Sequence, residues 1–219
     1  MPSPTVTFFT GTDTDVGKTH CAVMDVLTRV RRRRRVGVCK PVASGCRRDG
    51  EQLIADDAVQ LWDAAGRPRT LDDVCTQRFE PALSPPMAAS LDGCHVDESQ
   101  LIDSIAGWLR DDSIEDLIIE GAGGLFSPMS TSWLNIDLIE RVRELASHTS
   151  VVLVAQNQIG VQHQVISAVR AAKASGCPID TVWLNTIPGR SDPSQTGNAD
   201  ELRRWIDVDV ISGVEDSLP

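Results

Sequence analysis

The chain lacks the marks of several protein classes. None of its six cysteines, at 21, 39, 46, 75, 94 and 177, belongs to a C-x-x-C pair. That leaves plain thiols in a reducing compartment rather than a zinc or redox motif. Positive charge is in deficit: 21 Lys and Arg stand against 31 Asp and Glu, a net charge of −10. Broad nucleic-acid binding needs a basic face, so no nucleic-acid partner is expected, and an anionic ligand would require a local positive site. No apolar run approaches the roughly 20 residues of a membrane helix. The start, Met1 to Phe9, carries no basic leader of the secretory kind. The expectation is a cytoplasmic protein without a membrane partner.

What is present suits an ordinary globular chain. Hydrophobic residues make up 41% and charged residues 24% of 219 positions, enough to bury a core without staples. One domain over residues 1–219 is expected. Thr5 to Thr10 is β-branched and aromatic and reads as a strand. Gly17 to Val30 has apolar residues near helical spacing, and Val36 to Cys39 reads as a second strand. Strand, loop, helix, strand is a βαβ unit, which implies parallel pairing and a right-handed crossover. The stretch 44–95 is less regular: 54–65 reads as a helix, and the proline-rich Glu80 to Pro86 as a loop. Helices are expected at 97–110, 134–147, 161–175 and 199–206. Strands are expected at 114–119, 151–155, 179–184 and weakly at 208–211. Such alternation predicts an α/β fold, a mostly parallel central sheet flanked by helices. The five arginines from Arg31 to Arg35 fall at the end of the first helix, where solvated cations favour the carbonyl end of the helix dipole.

The chemistry concentrates at strand ends. Gly11-Thr-Asp-Thr-Asp-Val-Gly-Lys-Thr19 follows a strand and opens a helix, the context of a phosphate-binding P-loop. The usual spacing would put a glycine at Thr12, so this loop has one extra residue. Its backbone N–H groups can wrap phosphate oxygens, with Gly17 allowing close approach. Lys18 suits the β- and γ-phosphates and the Thr19 hydroxyl suits Mg²⁺. The second strand runs into Lys40, the third ends at Glu120 before Gly121-Ala-Gly-Gly124, and a later one ends at Asn185. Open α/β sheets bind ligands at these carboxyl ends. Lys40 is either a ligand group or a solvated strand end; Glu120 suits metal orientation. Asp56 and Asp57 are helix-start acids, or a carboxylate completing the metal shell. No acid follows in the place that a dinucleotide fingerprint requires.

Together these segments resemble dethiobiotin synthetase. The matching pieces are residues 11–19, Lys-Pro-Val-Ala-Ser-Gly at 40–45, Asp57-Ala58, Ser84-Pro85, and Glu-Gly-Ala-Gly-Gly-Leu-Phe-Ser-Pro at 120–128. They run in order over most of the chain, and the extra loop residue is normal in that family. The resemblance implies a P-loop NTPase-type fold and a cyclo-ligase of biotin biosynthesis. That reaction closes a cyclic urea on 7,8-diaminopelargonic acid from CO₂ and ATP with Mg²⁺, through a carbamate and a carbamic-phosphoric anhydride. It also implies a homodimer. By the same resemblance Lys18 and Lys40 are catalytic, and Thr14 and Ser44 hold the substrate. Thr19, Asp57 and Glu120 gather around Mg²⁺. Asp15, Val16, Gly17, Lys18, Thr19 and His20 surround the nucleotide with Asp57, Glu120, Gly121, Ala122 and Gly123, and Asn185 reads the adenine edge.

The reaction fits the residues. A carbamate oxygen is a poor leaving group until phosphorylated, and the charge then spread over phosphoryl oxygens is best met by fixed lysines and a metal ion. Two departures from the family pattern stand out. The turn that usually carries Leu-Gly and then Asn-His reads Ile159-Gly-Val-Gln-His-Gln164, with His163 as a substitute for the asparagine, and the late segment near adenine reads Ser212-Gly-Val-Glu-Asp216. A ParA/MinD-type switch ATPase, a cobyrinate amidase domain, a diverged paralogue acting on another amine and a nucleotide-binding scaffold are the competing readings. The first usually has a lysine early in the loop, where this chain has Thr14 and Asp15.

Overall fold

The structure is a computed structural model and describes residues 4–187, 189 and 192–213. The first strand, β1 (Thr5–Gly11), is buried from Val6 onward, as a parallel strand covered on both faces should be. It leads through the loop 12–17 into α1 (Lys18–Arg31), then β2 (Val36–Cys39). Between β2 and residue 95 lie four short strands, β3 (Val42–Ala43), β4 (Arg47–Asp49), β5 (Gln52–Ile54) and β6 (Gln77–Arg78), together with helices α2 (Asp56–Ala64), α3 (Leu71–Val74) and α4 (Pro85–Leu91). Then follow α5 (Glu98–Leu109), β7 (Asp116–Gly124), α6 (Asn135–Leu145), β8 (Thr149–Gln156), α7 (Val161–Ala174) and β9 (Thr181–Asn185). A 3₁₀ turn at Pro193–Thr196, α8 (Asn198–Leu202) and β10 (Asp209–Ser212) close the described chain.

The six long strands form one all-parallel sheet in the order β10-β9-β8-β1-β7-β2. The fold is therefore α/β with a parallel sheet, as expected. β1 lies between β7 and β8. From it the chain passes to one side of the sheet at β2 and later to the other at β8 to β10, so the carboxyl end of β1 is the switch point where such sheets bind ligands. Phe8 and Phe9, on opposite faces of β1, have no exposed surface, and Leu117 to Ile119 beside them are equally buried.

Several expectations need correction. The proline-rich segment is a loop only to Ser84; Pro85 opens α4, because a proline's fixed φ and missing N–H suit a first helical turn. The last helix stops at Leu202 rather than 206. The glycines 121–124 continue β7 instead of forming a separate loop. The arginine run is only partly solvated. Arg34 grips Asp116 through Nε at 2.5 Å and Nη2 at 2.7 Å, and Arg29 reaches the same carboxylate at 3.0 Å. Arg35 pairs with Glu115 at 3.6 Å. Asp116 is buried and would be a lone interior charge without these partners, so the run anchors the end of α1 to the start of β7. Arg31, Arg32 and Arg33 remain exposed.

Candidate active site

Loop 12–17 turns the chain from β1 into α1. Gly17 caps the helix at φ 92°, and no side chain caps the first turn, which leaves its N–H groups free for an anion. A Cβ at Gly17 would lie 1.9 Å from Asn185 Nδ2, so only glycine fits. Lys18 folds back over the loop, its Nζ donating to the carbonyl of Asp13 at 3.1 Å. Burial, and next the charge of Lys40, hold the Lys18 ammonium below its usual pKa, so an incoming anion would be a welcome counter-charge.

Lys40 follows β2 and is almost wholly buried. Its Nζ donates to Glu120 Oε1 at 2.6 Å and to the Gly121 carbonyl at 3.2 Å, and pairs with Asp57 Oδ2 at 3.0 Å. Burial alone would lower its pKa, but Glu120 and Asp57 outweigh it and the group stays cationic. Glu120 shows the reverse balance: burial pushes its carboxyl up while Lys40 pulls it back. Burial also works against the charge of Asp57, yet Lys40 wins and the carboxyl lies below the usual range. The Thr19 hydroxyl donates to Glu120 Oε1 at 2.9 Å. Glu120 Oε2 is buried with no hydrogen-bond partner, an orphan that native interiors rarely tolerate. Thr19, Asp57 and Glu120 thus present hard oxygen donors around a spare acceptor. This donor set fits Mg²⁺, which takes its remaining ligands from phosphate and water.

Three cavities line up along the strand ends. A central one of about 370 Å³ is walled by Lys18, Thr19, Lys40, Asp57 and Glu120. A second, of about 490 Å³, shares Thr14, Asp15, Ser44, Ala122 and Gly123 with it and extends to Leu83, Ser84 and Ser127. A third, of about 70 Å³, lies among His20, Met24, Trp183 and Asn185.

The chain is similar to known proteins over nearly its whole length. The family described as an AAA domain matches residues 5–217. An ATP-dependent dethiobiotin synthetase of Rhodopirellula baltica is 47% identical over 213 residues, 94% of this chain and 82% of that protein. An ATP-dependent dethiobiotin synthetase of Idiomarina loihiensis is 31% identical, covering 94% of this chain and 90% of that one. The chain belongs to the dethiobiotin synthetase family. Among solved structures, the signal recognition particle receptor FtsY from Elizabethkingia anophelis shares the fold, with a TM-score of 0.55 and 15% identity over 99% of this chain and 61% of that one.

Most residues singled out by the dethiobiotin synthetase pattern meet at one place. Thr14, Asp15, Gly17, Lys18, Thr19, Lys40, Ser44, Asp57, Glu120, Ala122 and Gly123 all line the central cavity. The two ammonium groups of 18 and 40 share that cavity, though each is held by protein oxygens. Val16 is buried and offers its carbonyl, which accepts from Asn185 Nδ2 at 3.0 Å. Asn185 therefore spends one donor on bracing the loop while still facing the third cavity, where His20 joins it. Gly121 stands behind the wall, its carbonyl holding Lys40. His163 is exposed on the first turn of α7. Of the segment Ser212–Asp216, residues 214–216 lie outside the described residues. Sequence reasoning missed the Asp13 carbonyl, Leu83, Ser127 and Asn135. None carries a local signal, because each acts through a fold-dependent contact.

Proposed function

We propose that this chain is an ATP-dependent dethiobiotin synthetase, closing the ureido ring on 7,8-diaminopelargonic acid with CO₂ and ATP. One observation carries the reading: of only three lysines in 219 residues, two wall one cavity at a helix N-terminus together with Thr19, Asp57 and Glu120. Family membership supports it.

In this reading the triphosphate lies along loop 12–17, with Lys18 and the first N–H groups of α1 on its terminal oxygens. The nucleobase end lies toward His20 and Asn185, and the diamine occupies the larger cavity, near Thr14 and Ser44. Thr19, Asp57 and Glu120 would hold Mg²⁺, which supplies charge neutralisation at the phosphates. One amine carries CO₂ as a carbamate, which Lys40 steadies by its charge. The carbamate oxygen attacks the γ-phosphorus and ADP leaves. The second amine then attacks the carbamoyl carbon, phosphate leaves, and the ring closes. The lysines act where negative charge develops, and confining three reactants removes much of the entropic barrier. The same reading takes residues 1–219 as one domain of a cytoplasmic homodimer. The test is to incubate the protein with diaminopelargonate, bicarbonate, Mg²⁺ and ATP and to follow dethiobiotin by mass spectrometry. Dethiobiotin formed in step with ADP is expected, and Lys40→Ala should abolish it while nucleotide still binds. Phosphate release without dethiobiotin would refute the reading and favour a switch ATPase.

A further inference from the structure

β1 and β7 pair in register from Thr5↔Asp116 to Phe9↔Glu120, and their next pair is Gly11↔Gly124. Two steps along β1 therefore match four along β7. The extra residues form a bulge directly after Glu120, and bulges re-aim the groups beside them. A bulge leaves backbone carbonyls without ladder partners, and buried ones must find others.

Here a side chain supplies them. Asn135, on the first turn of α6, has no exposed surface. Its Nδ2 donates to the carbonyls of both Ala122 and Gly124, the latter at 2.8 Å. Ser127 Oγ accepts from Gly124 N at 2.8 Å, and the carbonyl of Gly121 takes the Lys40 ammonium. Asn135 Oδ1 has no partner, a cost that an apolar side chain of the same shape would avoid, so the gain lies in the two amide donors. Gly121 is cut to match: a Cβ there would come within 2.5 Å of Asn135 Oδ1.

We propose that Asn135 is a positioning residue for phosphoryl transfer: its amide clamps the bulge after Glu120, which sets the carbonyl that anchors Lys40 and the Ala122–Gly123 wall between the two larger cavities. This inference rests on the ligase reading for its kinetic consequence and on the structure alone for the clamp. Asn135 touches no reactant and its amide bonds only to the bulge, so its loss acts first on the Lys40 anchor and the 121–124 wall, and on loop 12–17 only through the packing of Gly124 on Thr12.

Two variants test this. Asn135→Leu keeps the bulk and removes both donors; Asn135→Ser removes them without crowding Gly121 and carries the test if the first misfolds. In both, hydrogen exchange of a peptide spanning 118–128 should rise about 10-fold while the 136–145 helix keeps its protection. The kcat should fall roughly 10- to 100-fold, by more than KM for ATP rises, the pattern of a misplaced reacting group. Unchanged exchange at 118–128 overturns the clamp. Raised exchange throughout, with normal kcat per folded molecule, reduces Asn135 to a structural residue and also overturns the proposal. If the wild type makes no dethiobiotin, the ligase reading fails by itself and the exchange comparison still decides the clamp.

Discussion

Replacing Lys40 by methionine probes the centre of the site without nucleotide. The Lys40 side chain is 4% exposed and that of Glu120 1%, with 2.6 Å between Nζ and Oε1. Removing one member of a buried pair leaves the other uncompensated, at a cost of about 3–5 kcal/mol. The lower end applies here. Thr19 still donates to Glu120, and the Asp57 side chain, 46% exposed, rehydrates. A loss of about 3 kcal/mol lowers the Tm of a chain this size by roughly 6–12 °C. Circular-dichroism melts in EDTA at neutral pH measure it. Adding Glu120→Gln to the same variant removes the stranded charge and should recover at least half of the loss. The pH dependence has a definite sign. Burial already raises the Glu120 carboxyl above its ordinary 4.5, and Lys40 is the largest influence lowering it, so the variant's value is higher still. Between the ordinary and the folded value the native state holds an extra proton, so stability falls as pH rises and returns on acidification. A loss below about 1 kcal/mol, or a double variant no more stable than the single one, would refute the argument that Glu120 depends on Lys40 for its charge.

Further outcomes are expected elsewhere. Gly17→Ala forces a Cβ to within 1.9 Å of Asn185 Nδ2 at φ 92°, so calorimetry should show ATP binding at least about 10-fold weaker through the displaced loop. Asp116→Asn leaves Arg29 and Arg34 facing a neutral amide; urea melts should show a loss of about 3 kcal/mol, with turnover of the folded enzyme unchanged because the cluster lies at the amino end of β7, away from the cavity that Glu120 walls. Thr70→Ala removes the cap whose hydroxyl accepts from Asp73 N at 3.2 Å, costing about 1 kcal/mol. Chiefly through the Thr70 hydroxyl, Asp73 is held below its ordinary 3.8. That stabilisation is complete above the ordinary value and is lost as pH falls through the folded one, so the gap between variant and wild type should shrink in acid.

The regular parts were legible because their signals are local. Val36–Cys39 appears at its expected bounds, since a short apolar run between charged residues can do little but cross a sheet. The stretch 44–95 was opaque because its strands of two or three residues are too short to show a period and exist only through their partners. Residues 121–124 misled for a related reason. Glycines suggest a loop, yet β1, Asn135 and Lys40 keep them bonded as strand. The arginine run read as solvent-facing because nothing nearby in the chain announces Asp116, more than 80 residues away.

By itself the sequence determined the α/β alternation, the P-loop and the identity of the strand-end residues, because propensity, periodicity and a glycine-lysine-threonine turn act over a few neighbouring residues. Only the tertiary structure decided that Lys40 would lie against Glu120 and Asp57, that Asn185 would brace the loop at Val16, and that a helix-borne asparagine would hold the bulge. Those contacts join segments far apart in the chain. Their energies come from burial and desolvation, which do not exist until the sheet has assembled.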